Sequence, residues 1–443
     1  MARGGRIPPP PDLTRVSVPP AFNEPVTFIQ RIAEYMEYAD QLRKASETAD
    51  AVRRLQLVSA FAVSTLSCSQ ERVSKPFNPL LGETYELDRL KDLGFRIVCE
   101  QVSHHPPVSA FLADCPGHFR FYGSVNPKLK FWGKSIECQP KGLLTVELSR
   151  HGEVYTWTPI NCTVNNLVLG KMKMELHGLM DVHCHANDLR CQLQFKQNTT
   201  RLSGFVLDKH KRKIRALYGD WTEFLADCSV ESFEHHHSQW TKESKRRSGS
   251  PSPSTLQPSA STGHSPPPAR RYSTHSGLLV SPTKESAEGA LKPHAPLAHT
   301  KSERLLHAAD VRLASVPLLP GSEVVWKAKP RPFNSEKFYN FSHFTMLLNE
   351  LEPSQRETLP PTDSRFRPDV RCLEQGNLDE AALQKERLEQ KQREARQRRK
   401  REKTEWQPKW FQPTMHPFVD NEDYWVLDTS YWNRDWARCD DIF

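Results

Sequence analysis

The 443-residue sequence predicts a β-rich α+β fold, an antiparallel meander closing into a barrel or sandwich with helices before and after it. Three observations carry this expectation. From Thr84 onward, short β-type runs recur about every ten residues, separated by turn residues. Ahead of them lie two stretches with apolar residues at helical spacing. Beyond a Pro- and Ser-rich block comes a long charged segment with a helix-start signature.

Residues 1–12 are rich in Pro and Gly, so no element is expected there. From Pro25 to about Lys44, the residues Phe28, Ile29, Ile32, Tyr35, Met36 and Ala39 fall on one stripe and predict a helix. A second helix is expected from Asp50 to Leu66, with Val52, Leu55, Val58, Phe61 and Ala62 inward. The expected strands are Thr84–Leu87, Phe95–Gln101, Val108–Ala113, Phe119–Ser124, Leu129–Ile136, Leu143–Leu148, Val154–Thr158, Leu167–Met174 and Leu189–Phe195. Turns such as Asp114-Cys115-Pro116-Gly117 and Gln139-Pro140-Lys141-Gly142 divide them. No long crossover helix intervenes, which argues against a parallel α/β sheet.

Residues 242–315 read as an insert. Its 251–300 portion holds nine Pro and nine Ser with Tyr272 as the sole aromatic, too little to build a core. Ser250, Ser252, Ser265 and Ser281 each precede Pro, and Arg270-Arg271-Tyr272-Ser273 is a basic-directed phosphorylation pattern. Order is expected to resume near Val316. Asn377, with Glu380 three residues on, starts a charged helix running to about Lys403. A tail with Trp406, Trp410, Trp425, Trp432 and Trp436 closes the chain. The implied organisation is 1–12 unstructured, 13–241 helices and main sheet, 242–315 insert, and 316–443 the helical remainder of the same domain.

Charged residues make up 26 % of the chain, and the net charge is +8. A surplus that small suits an acidic membrane surface or a phosphorylated ligand better than duplex nucleic acid. The ten cysteines are scattered without a CxxC, and no secretory signal opens the chain, so reduced thiols in the cytosol are expected. Three sequons, at Asn161, Asn198 and Asn340, are then unused. No apolar run approaches the roughly 20 residues needed to span a bilayer, so membrane contact should be peripheral.

Three clusters carry chemistry. In Glu100-Gln101-Val102-Ser103-His104-His105-Pro106-Pro107, adjacent strand residues would point to opposite faces. The prolines end regular pairing, which allows both imidazoles to face one anion at a strand end. The same pair also reads as plain loop residues. In Lys75-Pro76-Phe77-Asn78-Pro79-Leu80-Leu81-Gly82-Glu83, Lys75 and Asn78 offer donors near the ends of a rigid turn, or the turn is merely structural. Lys385, Glu389 and Arg393 stand at i, i+4 and i+8, where each step drifts by only about 40°, so they share one helix face. That face fits a phosphate or inositol cradle, or an ordinary solvated helix.

Together these segments resemble the oxysterol-binding-protein-related lipid-transfer family, whose hallmark Glu-Gln-Val-Ser-His-His-Pro-Pro stands here at 100–107. Supporting stretches are Lys75–Glu86, Pro127-Lys128-Leu129-Lys130-Phe131-Trp132-Gly133-Lys134-Ser135 and Pro361-Thr362-Asp363-Ser364-Arg365-Phe366-Arg367-Pro368-Asp369. The resemblance runs from about Leu13 to Phe443 apart from the insert, and is nearest to short members without a pleckstrin-homology domain. It implies a large, incompletely closed antiparallel β-barrel with a lipid tunnel under an N-terminal lid. It implies a sterol or a phosphoinositide, such as phosphatidylinositol 4-phosphate, as alternative cargoes exchanged between membranes. By motif, Lys75 and Asn78 would contact the headgroup, His104 and His105 its phosphate, and Lys385, Glu389 and Arg393 the inositol ring.

The expected partners are therefore a sterol, a phosphoinositide and anionic membrane surfaces, with no nucleic acid, no cofactor and no metal, and the protein tether left open. The expected place is the cytosol, peripherally on endoplasmic reticulum, plasma membrane or endosomes. Two departures stand out. Met1–Asp12, with prolines at 8–11, is too short and too rich in proline for the usual amphipathic lid. Glu231-Ser232-Phe233-Glu234 is a poor match to the acidic-aromatic tethering motif, which leaves headgroup recognition and basic residues such as Arg396, Arg398, Arg399, Lys400 and Arg401 to target the chain. An enzyme would need His104/His105 with an acidic partner, or a metal at His183-Cys184-His185 or His235-His236-His237. Zinc spacing, a nucleophile elbow and a phosphate-binding Gly loop are all missing, so no enzyme is expected. The competing expectation is a sensor that binds the same lipids without transferring them.

Overall fold

The structure is a computed structural model that describes residues 19–166, 172–237 and 317–443. The expectations for the leader, for the first part of the strand at 167–174, and for the insert with its phosphorylation patterns lie outside the described residues. The described residues belong to one compact unit.

The helix expected over Pro25–Lys44 is broken in three. Asn23–Thr27 forms a strand, β1, pairing in parallel with Lys75–Phe77, β2. Thr27 then starts α1 (Phe28–Ala33) through a capping box with Gln30. Glu34–Tyr38 tightens into a 3-10 turn before α2 (Asp40–Glu47). Tertiary contacts hold that tight turn: Tyr35 meets Phe111 at 6.1 Å, Tyr38 meets Trp326 edge-on at 5.4 Å, and the Tyr38 hydroxyl accepts from Lys329 N. In a 3-10 turn residues three apart eclipse, so both tyrosines face the sheet.

Helix α3 (Ala51–Ser67) lies within one residue of its expected bounds, and the Asp50 carboxylate caps it by accepting from Val52 N and Arg53 N. It is buried on almost every face, so its polar side chains need partners within the fold. Its long buried polar residues are paired: Arg54 to Glu153 at 2.6 and 2.7 Å, and Gln56 to Asp227 at 2.7 Å.

The sheet has 14 strands. They are β3 (Thr84–Arg89), β4 (Phe95–His104), β5 (Pro107–Cys115), β6 (Phe119–Phe131), β7 (Ile136–Lys141), β8 (Leu144–Leu148) and β9 (Glu153–Trp157). There follow β10 (Asn161–Asn165), β11 (Lys173–Cys184), β12 (Arg190–Phe195), β13 (Arg201–Leu207), β14 (Lys213–Asp220), β15 (Phe224–Cys228) and β16 (Glu323–Lys327). The meander is antiparallel, as expected, but it forks. The first half of the long β6 pairs with β8 and its second half with β7; β11 begins on β10 and ends on β12 and β9. The fork rejoins through β7–β10 and β8–β9. The path ends at β3 and β16, and among the described residues these edges do not pair with each other.

The strand expected at Leu129–Ile136 is the β6–β7 hairpin instead. Its turn runs from Trp132, whose N–H donates to Ser135, and Gly133 supplies φ +71° there. Beyond the insert come α4 (Pro368–Glu374) and α5 (Leu378–Glu402), the latter capped by Asn377 Oδ1 accepting from Glu380 N at 3.2 Å. The Trp-rich tail forms a hairpin, β17 (Phe411–Met415) with β18 (Asp423–Leu427). One face of β4 and β5 joins the main core through Ile97, Cys99 and Phe111. The other, through Val98, Val102 and Ala110, packs on Trp410, Phe411, Leu427 and Tyr431.

Candidate functional site

Three segments far apart in sequence meet at the end of β4. The first is the Lys75–Glu83 turn. Lys75 donates through Nζ to Asn78 Oδ1 at 2.6 Å. Arg367 donates to the Asn78 carbonyl and to Glu83, both at 2.8 Å, and Glu83 accepts from Leu80 N at 2.8 Å. Gly82 sits at φ +82°, where an added Cβ would lie 2.7 Å from the Trp406 ring, so conformation and space both require glycine.

The second segment is the hallmark itself. His104 ends β4 opposite Pro107, and the His105-Pro106 peptide is cis. The two imidazoles lie with ring centroids 4.5 Å apart at 65°. The buried Glu100 of the same strand accepts from the backbone N–H groups of Lys409, Trp410 and Phe411, anchoring the tail behind the site. Burial pushes its carboxyl up to about 7 against the pull of those donors.

The third segment is one face of α5. Lys385 Nζ stands 3.0 Å from Glu389 Oε1, and Arg393 Nη1 is 3.8 Å from Glu389 Oε2. Gln392 links this face to the other two segments: its Oε1 accepts from Leu81 N at 2.8 Å, and its Nε2 lies 3.1 Å from His104 Nε2. Sequence reasoning missed Gln392 and the supporting Arg367; a signal for the first was its place three residues after Glu389, on the same helix face.

The electrostatics follow from this convergence. Burial pushes the Lys75 ammonium down to about 8, the Lys385 and Arg367 charges push further, and Glu389 opposes them. Burial likewise pushes His104 down to about 4, with His105 and Arg396 adding and Glu389 opposing. The site is thus rich in donors, and a bound anion would hold the Lys75 ammonium charged. Glu389, between Lys385 and Arg393, supplies an acceptor for hydroxyls. Such a set suits a phosphate carried on a polyol.

The other candidate residues offer less. The rings of His183 and His185 lie tilted with centroids 4.3 Å apart, yet among the described residues no group of three or more His, Cys, Asp or Glu could hold a metal ion. Phe233 is buried against Phe205 and Tyr218, so Glu231–Glu234 is packed helix and not an extended docking motif.

A profile of the family described as Oxysterol-binding protein matches residues 9–436. The chain is 40 % identical over 441 residues to Oxysterol-binding protein-related protein 2 of Mus musculus, covering 98 % of this chain and 82 % of that one. It is 39 % identical over 439 residues to Oxysterol-binding protein-related protein 1 of Homo sapiens, covering 98 % of this chain but 41 % of that longer protein. Among solved structures it is similar to the Osh1 ORD domain in complex with cholesterol, at TM-score 0.74 and 30 % identity, with 98 % and 89 % of the two chains covered. It is also similar to the Osh3 ORD of Saccharomyces cerevisiae in complex with PI(4)P, at TM-score 0.68 and 28 % identity, with 98 % and 96 % covered. The fold, the hallmark at 100–107 and these likenesses together give one result: the chain belongs to the oxysterol-binding protein family.

Proposed function

We propose that this chain binds one lipid at a time, a sterol or a phosphoinositide such as phosphatidylinositol 4-phosphate, and exchanges the two between membranes. The observation that carries the reading is the meeting of Lys75, His104 and the Lys385–Glu389–Arg393 face at one strand end. Structurally similar domains hold cholesterol in one case and PI(4)P in another. In this reading Lys75, Asn78, His104, His105, Lys385, Glu389 and Arg393 hold the charged headgroup, which cannot enter an apolar interior. The acyl chains, or a sterol, take the apolar side, where burial contributes about 25 cal/mol per Å². Residues 13–241 and 316–443 act as one lipid-binding domain around the insert, a reading supported by β15 pairing with β16 across it. In this reading the chain carries lipid and is no enzyme: the residues assigned to the headgroup are donors, with Glu389 as the one carboxylate among them.

Membrane contact is peripheral. Among the described residues no helix is long and apolar enough to cross a bilayer, and exposed Arg396, Arg398, Lys400 and Arg401 favour anionic surfaces. Transfer of each lipid between liposomes tests the proposal. His104→Ala/His105→Ala should lower phosphoinositide transfer about 100-fold, the equivalent of two hydrogen bonds to a charged group, and leave sterol transfer near the parent rate. Binding of both lipids without transfer of either would leave a sensor as the function. Binding of neither would refute the reading.

The Lys75 site gives a pH signature. With its pKa lowered to about 8, Lys75 loses its proton above that value in the free protein, whereas a bound phosphate keeps it charged. Phosphoinositide affinity should therefore fall as pH rises through 8, by up to about tenfold per unit. Sterol uptake should stay flat, and Lys75→Arg should abolish the fall. Liposome co-sedimentation between pH 7 and 9.5 reads this; an unchanged slope in Lys75→Arg would exclude Lys75 as its source.

A further inference from the structure

Gln392 holds two partners whose chemistry fixes a third group. Its Oε1 lies 2.8 Å from the backbone nitrogen of Leu81, and its Nε2 lies 3.1 Å from Nε2 of His104. A backbone N–H can only donate, so the oxygen end of the amide must face Leu81. The NH2 end then faces the imidazole, and an amide NH2 also only donates. Nε2 of His104 must therefore accept, and the single hydrogen of the neutral ring sits on Nδ1. We propose that Gln392 is a positioning residue of the headgroup site, holding His104 as the Nδ1–H tautomer so that a phosphate oxygen meets a donor and not a lone pair. This rests on the phosphoinositide reading above.

The same contact disfavours the charged ring, since an imidazolium would set an Nε2–H against the Gln392 NH2. Burial acts in the same sense, as do the His105 and Arg396 charges, while Glu389 opposes them. Neutrality matters for a site that serves two cargoes. With an apolar lipid aboard no phosphate is present to compensate an imidazolium, and a buried unpaired charge is costly. With a headgroup aboard, a neutral Nδ1–H still donates. The positive charge that attracts the phosphate then comes from Lys75, Lys385 and Arg393, and His104 contributes direction.

The test is nitrogen NMR of the ligand-free full chain labelled at the histidine rings, with His104→Gln identifying the signal. At pH 7 the parent should show Nδ1 protonated and Nε2 bare. Gln392→Glu, whose second carboxylate oxygen only accepts, should move the hydrogen to Nε2 and raise the pH at which His104 titrates. It should also weaken binding of short-chain phosphatidylinositol 4-phosphate by about tenfold or more, the loss of one hydrogen bond to a charged group. Gln392→Met, which removes the contact without adding charge, should give mixed tautomers and a smaller loss. A protonated Nε2 in the parent, or an unchanged tautomer in Gln392→Glu, would overturn the assignment. Failure of the phosphoinositide reading looks different: the parent would show the stated tautomer and still not bind the lipid, which would remove the ligand and with it the role.

Discussion

Arg367→Met should lower the free energy of unfolding by about 3–5 kcal/mol, because it strands two buried carboxylates. The guanidinium grips Asp369 with two parallel bonds of 2.9 Å and reaches Glu83 and the Asn78 carbonyl at 2.8 Å. It is 2 % exposed, while Glu83 and Asp369 are fully buried. Glu83 also accepts from Ser364, which in turn meets Thr27, so one arginine ties the headgroup turn, the 363–369 segment and the start of α1. Arg367→Lys should recover little, since a point charge cannot reproduce the fork. The sign with pH follows from linkage. Burial already raises the Glu83 pKa, and losing the cation raises it further. A carboxyl with a raised folded value contributes stability that is present below its unfolded value and lost as pH rises through the folded value. The deficit of Arg367→Met should therefore grow from pH 5 to pH 8. Urea titrations at both pH values measure it, and a midpoint equal to the parent's would show that the cluster is not stabilised by Arg367. Phosphoinositide binding should fall as well, since Asn78 loses its support.

The sequence made the meander legible because β-type runs and turn residues repeat locally, and α3 and α5 legible because Asp50 and Asn377 cap them. Elements set by distant partners were not legible. The three-residue β2 exists because β1 pairs with it, and the 3-10 turn at Glu34–Tyr38 exists because Phe111 and Trp326 receive its tyrosines. β6 and β11 each exceed an ordinary strand because they serve two neighbours, which no local pattern encodes. At the site, the Lys75–Glu83 turn, the hallmark motif and the i, i+4, i+8 spacing pointed to Lys75, His104 and the α5 face, which the fold brings together. Gln392 escaped because its meaning lies in Leu81, 311 residues away. Glu100 escaped for the same reason: its partners are the backbone donors of Lys409–Phe411.

Phe121→Ala should cost about 3–5 kcal/mol as well, through a cavity and not a charge. Phe121 is fully buried on β6, stacked on Trp157 at 5.8 Å and 3°, and flanked by Phe61 and Phe111, each at 5.0 Å. Its neighbours stand on three other elements, β9, α3 and β5, whose backbones are fixed by sheet pairing and by a helix buried on nearly all sides. They cannot collapse inward without breaking those bonds, so most of the vacated volume persists. Urea unfolding should show a lower midpoint with an unchanged slope, because the surface exposed on unfolding hardly changes. The variant also locates the apolar cargo. A ligand that binds only the folded state stabilises it in proportion to its affinity. If the aromatic layer borders the lipid space, a sterol filling the new cavity should raise the variant's midpoint more than the parent's. Equal shifts in both would place the cargo away from this layer, leaving Tyr35, Phe61, Phe111, Phe121 and Trp157 as a structural core beneath it.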